Sequence, residues 1–501
     1  MIHNKGARAL IVFLLLFICS TAQAEQQSVF HLTPGCLEAQ KHIAALRLQK
    51  AKAILAVEKK SLPHNAAVAF LENTLDYYQI VTSQDFSLLK PAENARNKRV
   101  EALKRIPASS PFLLYTQSEM HLQWAFLKIF HEHYIGAMLD FRTAYNLAVE
   151  NQKKFPAFKA GNKTIGLFKA LVGSTPDNYK WVLSAVGLKG NFDEGMTMIE
   201  QYVHSNPSDE FILDEQMAVF YYGLFQMNFG DKQKAWEFVK KHTNDYKSNL
   251  ISSYLRAYVG MKSGHNEDAI NTLAERPKST DYEPFYVLDY LYGQAKLNRL
   301  DEDAEQPLKR FVSFYKGKFL MKDAYRRISW HYLLRGEKDK YEVYKALSQR
   351  YGSSNSEEDK YIQKEAQLGR TPEVILIKAR LLFDGGYYNK AEETIKQINP
   401  EKTTDIYVKL EYHYRYARIL HEQNKLHKAI DYYSYVVKYS PVNTPYYFAP
   451  NSCLQMGYIY QKLGFNQIAK SHFNNVSLYS RAEYVDGLKL KAKIELEKID
   501  G

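Results

Sequence analysis

An all-α solenoid of helical hairpins is the fold class this sequence predicts, and three observations predict it. Among 501 residues only 24 are Gly and 16 are Pro, too few breakers for short strands joined by many turns. An apolar content of 46 % with 24 % charged residues is that of a folded globular chain and excludes wholesale disorder. The third observation is repetition: Gly230 and Ala235 recur as Gly264 and Ala269, both at an offset of 34 residues.

The first element is not structural. Lys5 and Arg8 precede the apolar run Leu10 to Ile18, and Ala22-Gln23-Ala24 then supplies small residues at the two positions a signal peptidase reads. Residues 1–24 are therefore expected to be a secretory signal peptide, with a mature chain from Glu25, exported to the periplasm or cell envelope. The rival reading is a membrane anchor, but nine apolar residues cover only ~14 Å of helix, half the hydrocarbon thickness. No later segment is apolar enough to span a membrane. Cys19 follows Phe17 and Ile18, where a lipid-modified Cys needs a small residue. Losing Lys5 and Arg8 lowers the net charge from +12 to +10, so the mature chain stays basic. Cys36 and Cys453 are too few for a disulfide framework; two buried thiols are expected, with a single bridge as the alternative.

Residues 25–117 read as an N-terminal helical cap. One amphipathic helix is expected over 37–60, ended before Pro63, a second from Asn65 towards Val81, and a third from Pro91 to Ile106, where Pro91 suits the first turn. An exposed terminal repeat needs such a cover.

From residue 118 onward a 34- to 40-residue frame recurs about nine times. It places Ala125, Ala137, Phe141 and Ala144 in one unit, Gly195, Ile199 and Tyr202 in another, and Ala379, Leu382, Gly386, Ala391 and Ile395 in a later one. The last two frames are clearest: Ala417, Leu420, Ala429, Tyr433, Val436 and Pro441, then Gly457, Tyr460, Gly464, Ala469, Phe473 and Val476. Weaker units surround Gly293 and Ala304, and Ser329, Tyr332 and Gly336, where Tyr341 replaces the small residue. Small residues at two fixed positions let paired helices approach, and larger apolar ones fill the gap between them. This is the tetratricopeptide pattern. The expected array runs over 118–350, with an insert at 151–178 holding a short helix from Lys163 to Val172, and C-terminal repeats fill 351–501. Gly352 to Ser356 is the expected hinge.

Asn151, Phe155-Pro156, Phe158, Asn162-Lys163, Gly166, Pro176, Tyr179, Trp181, Gly187, Gly190 and Gly195 together resemble a family of exported tetratricopeptide-like proteins of Bacteroidetes. Pro176, Val186 to Asn191 and Gly195 are similar, over some forty residues, to a eukaryotic tetratricopeptide family linked to the mitochondrial outer membrane and inclusion-body clearance. The resemblance implies fold and compartment and carries over no catalytic residue.

Chemistry is sparse. His131, Glu132 and His133, with His121, form the densest His cluster, but on a helix i and i+2 point about 200° apart, so no metal site is expected. Motifs for zinc hydrolysis, phosphate cradling or a nucleophilic Ser are missing, so neither cofactor nor enzyme activity is expected. A hydrolase on the insert would need polar groups that its sequence does not show. Basic residues alternate with acids, as in Lys338-Asp339-Lys340, and Lys489 to Lys493 is followed by Glu495 and Glu497, which argues against nucleic acid.

A binding groove is better supported, because tetratricopeptide arrays curve so that the first helix of each repeat lines the concave face. Reading those positions gives Tyr254, Tyr258, Tyr290, Arg326, Trp330, Arg380, Tyr414, Arg418 and Tyr458. Tyr and Arg anchor interfaces through large contact area and a planar fork of donors; the alternative is that several of these Tyr are core. The Lys and Asn spacing that clamps a C-terminal carboxylate in chaperone-binding members is missing. The expected function is a non-enzymatic scaffold binding a protein or peptide segment, with a glycan-binding nutrient-capture protein as the alternative.

Overall fold

The computed structural model describes residues 29–175, 190–205, 207–353, 357–367 and 369–500. The expected signal peptide with Cys19, residues Pro176, Tyr179, Trp181 and Gly187, and the hinge positions Ser354 to Ser356 lie outside these residues. Among the described residues there are 24 α-helices and no strand, only an isolated bridge between Val29 and Asn65. The fold is an all-α solenoid.

The N-terminal segment forms α1 (Pro34–Ala44), α2 (Leu48–Ser61), α3 (Ala66–Ser83) and α4 (Leu89–Lys104). Side-chain oxygens of Thr33 and Asn65 accept the first free N–H groups of α1 and α3. The single helix expected over 37–60 is broken, because Leu46 takes φ 62° while Arg47 N–H donates back to the His42 carbonyl at 2.8 Å. No Gly or Pro marks the break. It frees the Leu46 carbonyl to accept from Glu283 N–H at 2.8 Å, and Arg47 stacks on Tyr282. The cap thereby reaches beyond the first hairpin: Gln216 donates to the Ala44 carbonyl, and Lys50 pairs with Asp281 at 2.6 Å.

Nine hairpins follow among the described residues: α5 (Phe112–Phe130) with α6 (Tyr134–Lys154), α7 (Asn162–Gly173) with α8 (Phe192–His204), α9 (Ile212–Phe229) with α10 (Lys232–His242), α11 (Leu250–Lys262) with α12 (Asn266–Glu275), and α13 (Val287–Asn298) with α14 (Glu305–Phe314). Then come α15 (Met321–Leu334) with α16 (Lys338–Arg350), an unpaired α17 (Glu357–Gln367), α18 (Val374–Asp384) with α19 (Tyr388–Ile395), α20 (Ile406–Glu422) with α21 (Leu426–Tyr439), α22 (Phe448–Lys462) with α23 (Asn466–Asn475), and the closing helix α24 (Val485–Asp500).

The small-residue frame explains the packing. Ala125, Ala144, Ala235, Ala269, Ala379, Ala391, Ala417, Ala429 and Ala469 are each fully buried. A Cβ on Gly457 would lie 2.3 Å from the Phe473 ring, and one on Gly293 would lie 2.4 Å from Leu308. The first helix of each hairpin is the inner one. Twelve of the 14 residues of α15 are buried, against only Tyr341 and Ser348 in α16. The segment expected as an insert carries α7, the inner helix of the second hairpin, with Gly166 packed against Gly195 of α8.

Helix α17 is tied on both sides. The buried ammonium of Lys322 donates to the last carbonyls of α16, Ser348 and Gln349, and to Gln363 of α17 at 2.7 Å. From the other side Tyr484 donates to Glu358 at 3.0 Å, and Glu483 faces Lys364 at 3.6 Å. Burial raises the Glu483 carboxyl to about 7, with Lys364 opposing. Folded chains therefore hold this proton more tightly than unfolded ones, a stabilisation fully present below the unfolded value and lost as pH rises through 7. Glu483→Gln is expected to remove that part of the pH dependence and to stabilise the protein by about 2 kcal/mol at pH 8. Urea melts of both proteins at pH 5 and pH 8 check it; equal stability at pH 8 would contradict it.

The superhelix also touches itself. The turn after α18 lies on the turn after α11, Tyr387 donating to Glu267 at 2.7 Å and accepting from Asn266 at 3.0 Å. Gly386, at φ 78°, is so close that a Cβ there would sit 2.3 Å from the Gly264 carbonyl. Inner helices of the fourth to sixth hairpins thus face those of the seventh and eighth.

Candidate functional site

Where these two arcs face each other they enclose a cavity of about 530 Å³. Six of the nine expected groove residues line it: Tyr254, Tyr258, Tyr290, Arg326, Arg380 and Arg418. An adjoining cavity of about 190 Å³ is lined by Tyr414 together with Arg380 and Arg418. Trp330 lines neither; it is 2 % exposed, in the core, with the guanidinium carbons of Arg326 and Arg380 at 4.7 Å and 4.9 Å from its ring centre. Tyr458 packs edge-on against Phe473, outside both cavities.

The lining residues differ in what they have left to offer. Tyr254 and Tyr258, one helical turn apart on α11, stack nearly parallel at 5.9 Å, and Tyr254 also stacks on Phe285. Tyr290 is buried and donates to Asp323. Arg326 and Arg327 both pair with the same Asp323, and Arg326 reaches Glu358 at 2.6 Å and Glu365 at 3.3 Å. Asp323 stays far below the usual carboxylate range: burial pushes upward, but the two guanidinium groups outweigh it. Tyr290 and Arg326 are therefore engaged in a closed ionic network inside the wall.

Arg380 and Arg418 are not closed in this way. Arg380, with 19 % of its side chain exposed, has a single carboxylate partner among the described residues, Asp384 at 3.8 Å. Arg418, with 18 % exposed, lies 3.8 Å from Glu422 and 3.4 Å from the Tyr414 hydroxyl, and its Nε is buried with no acceptor. Tyr414 in turn accepts from Asn451 at 2.7 Å. Lys232 and Lys262 also line the chamber, and Lys491 of α24 adds its charge nearby; none has an ion-pair partner among the described residues. The Lys232 ammonium meets water inside the chamber yet has protein around it, and this enclosure, then Arg418, push it down to about 8, with Glu422 opposing and Lys491 and Lys262 adding to the fall. Asn298, 1 % exposed in the same wall, has neither a donor for its Oδ1 nor an acceptor for its Nδ2.

Sequence reading missed Lys232, Lys262, Asn298, Phe383 and Tyr388. Phe383 and Asp384 were within reach, one turn after Arg380 on α18. The lysines carried no signal, since only superhelical closure brings them to the chamber.

A second polar cluster is sealed. Lys163 of α7 is fully buried, 2.7 Å from Glu119 of α5 and 3.1 Å from Asp214 of α9, and Tyr115 donates to Asp214. Burial opposes the ammonium, yet the two carboxylates outweigh it and raise the Lys163 pKa. The space beside it is only about 40 Å³. Elsewhere His121 is bound to Asp140 at 2.6 Å, and Glu132 holds φ 61° between His131 and His133. Cys36 and Cys453 are buried thiols, unpaired. No helix among the described residues is long and apolar enough to cross a membrane.

A tetratricopeptide-repeat family model matches residues 410–443, which hold most of α20 and all of α21. No curated protein matches the sequence. Among solved structures, a monomeric mutant of IFIT1 with m7Gppp-AAAA is 14 % identical at a TM-score of 0.32, covering 90 % of this chain and 97 % of that one. The human IFIT1 dimer with PPP-AAAA is 13 % identical at 0.29, covering 89 % and 95 %. Yeast Tom70 is 13 % identical at 0.25, covering 92 % and 88 %.

Proposed function

We propose that this chain, a tetratricopeptide-type array, is a non-enzymatic scaffold that holds a segment of a partner protein in the chamber between its two arcs. The observation that carries the reading is the pair Arg380 and Arg418, two guanidinium groups beside aromatic walls with donors that the protein does not satisfy. Unmet donors in an enclosed site cost free energy until a partner supplies acceptors. In keeping with its exported-family resemblance and the leader expected at residues 1–24, the scaffold works in the periplasm or cell envelope of a bacterium.

The test is crosslinking of the tagged protein in the cells that make it, beside a Tyr414→Ala, Arg418→Ala, Arg380→Ala variant shown by circular dichroism to be folded. A protein partner present with the parent and lost with the variant is the expected result. Capture of glycan alone would overturn it in favour of nutrient binding, for which the stacked faces of Tyr254 and Tyr258 would be the platform. Fractionation of the same cells, with N-terminal sequencing of the mature chain from Glu25, tests the compartment.

A further inference from the structure

We infer that the segment held in the chamber is an acidic peptide, its carboxylates bound by Arg380 and Arg418 and drawn in by Lys232, Lys262 and Lys491. The inference rests on the scaffold reading above and narrows it to one class of partner.

The first support is charge. Once the closed network around Asp323 is set aside, five cations stand in or beside the chamber, Lys232, Lys262, Arg380, Arg418 and Lys491, against two carboxylates, Asp384 and Glu422. Low-dielectric walls focus such a field, so it is felt most inside. Arg380 and Arg418 come nearest those two carboxylates, both at 3.8 Å, beyond hydrogen-bond distance.

The second is number. The five cations come from five different helices, α10, α11, α18, α20 and α24, around a chamber whose wall also holds Phe383 and Tyr388. A chain with several carboxylates offers each an acceptor, and a volume of about 530 Å³ lies in the range of pockets that enclose such ligands.

The third separates a peptide from a nucleic acid. Asp384 and Glu422 accept from backbone N–H, whereas they repel phosphodiesters.

The probe is fluorescein-labelled hexaglutamate, titrated by anisotropy against the full mature protein at 50 mM and 200 mM salt, with labelled hexaglutamine alongside. Saturable binding is expected, weaker at the higher salt, at least tenfold tighter for the Glu peptide, and at least tenfold weakened by Arg380→Gln with Arg418→Gln. Because Arg380 stacks on Trp330, a second variant, Lys232→Gln with Lys491→Gln, changes chamber charge without touching that stack and is expected to weaken binding at least threefold. Lys52→Gln with Lys60→Gln, on the outer face of the cap, is expected to change nothing and separates the chamber from net charge.

Equal weakening by the cap variant, or no hexaglutamate binding, overturns the inference. Equal binding of hexaglutamine overturns the acidic preference and leaves the scaffold reading standing. Displacement by acetate or phosphate at the concentration that glutamate residues require would show a small-anion site instead, and tighter binding of a single-stranded RNA hexamer would show a nucleic-acid site. Hexaglutamate binding without any protein partner in the crosslinking experiment would uphold the chamber chemistry and sink the scaffold.

Discussion

Lys163→Met is expected to cost about 3–5 kcal/mol of stability at neutral pH. The methionine fills nearly the same volume, so packing is largely kept. What is lost is the only ammonium between Glu119 and Asp214, two carboxylates buried where α5, α7 and α9 meet. Asp214 is already raised above its ordinary value by burial, with Lys163 opposing and Glu119 adding to the rise. Without the lysine the Asp214 carboxyl is pushed further up, so the folded variant binds this proton more tightly than the unfolded chain. Its stability is then greatest at low pH and falls as pH rises through the raised folded value. Urea melts at pH 5 and pH 8 decide the matter: a deficit that shrinks at pH 5 identifies uncompensated charge, while an equal deficit at both identifies a packing fault and refutes the electrostatic account.

Gly195→Val carries the other large effect, a loss of about 3 kcal/mol or more. Helices α7 and α8 meet backbone to backbone, and a Cβ on Gly195 would stand 2.3 Å from the Ala170 amide nitrogen and 2.5 Å from the Gly166 carbonyl. No rotamer can relieve such a contact, so the helices must separate and uncover Phe168 and Ile199, both fully buried. Gly161→Ala is the control. Nothing lies within 4 Å of a Cβ there and its φ is −71°, so its effect is expected within about 0.5 kcal/mol of neutral. Denaturant midpoints of the three proteins test the pair, and comparable midpoints for all three would refute the close-approach argument.

The hairpins were legible because close helix packing admits few residue types: Ala417 with Ala429 and Gly457 with Ala469 can be found by spacing alone. The inner helix of the second hairpin was half legible. Its helical span was plain, but Gly166 and Gly195 are joined through a connection too long to read as a turn, which made α7 look inserted. The break at Leu46 left no trace, since Ala45, Leu46 and Arg47 are all good helix formers and the partner of the Leu46 carbonyl is Glu283, far along the chain.

The site was legible in the same uneven way. Arg380, Tyr414 and Arg418 fall out of repeat position, because facing inward is a property of one hairpin. Which inward residues remain available is not such a property. Arg326 and Trp330 occupy the same kind of position, yet Asp323, Glu358 and Glu365 engage the first and two guanidinium groups cover the second. The lysines depend on a longer relation still, the curvature summed over several repeats.

In an ordinary repeat array each unit touches only its neighbours, so the array frays from its ends and any stretch can melt alone. The contact of the fourth hairpin with the seventh, through Asn266 and Tyr387, 121 residues apart, does not permit this. Melting the fifth or sixth hairpin opens a loop whose two ends remain joined, and releasing the joint exposes both arcs together. Residues between 264 and 386 therefore share one opening event, seen in hydrogen exchange as a single cooperative unit. Forming that joint is a late, high-contact-order step, so the enclosed volume arises only after the repeats on both sides have folded.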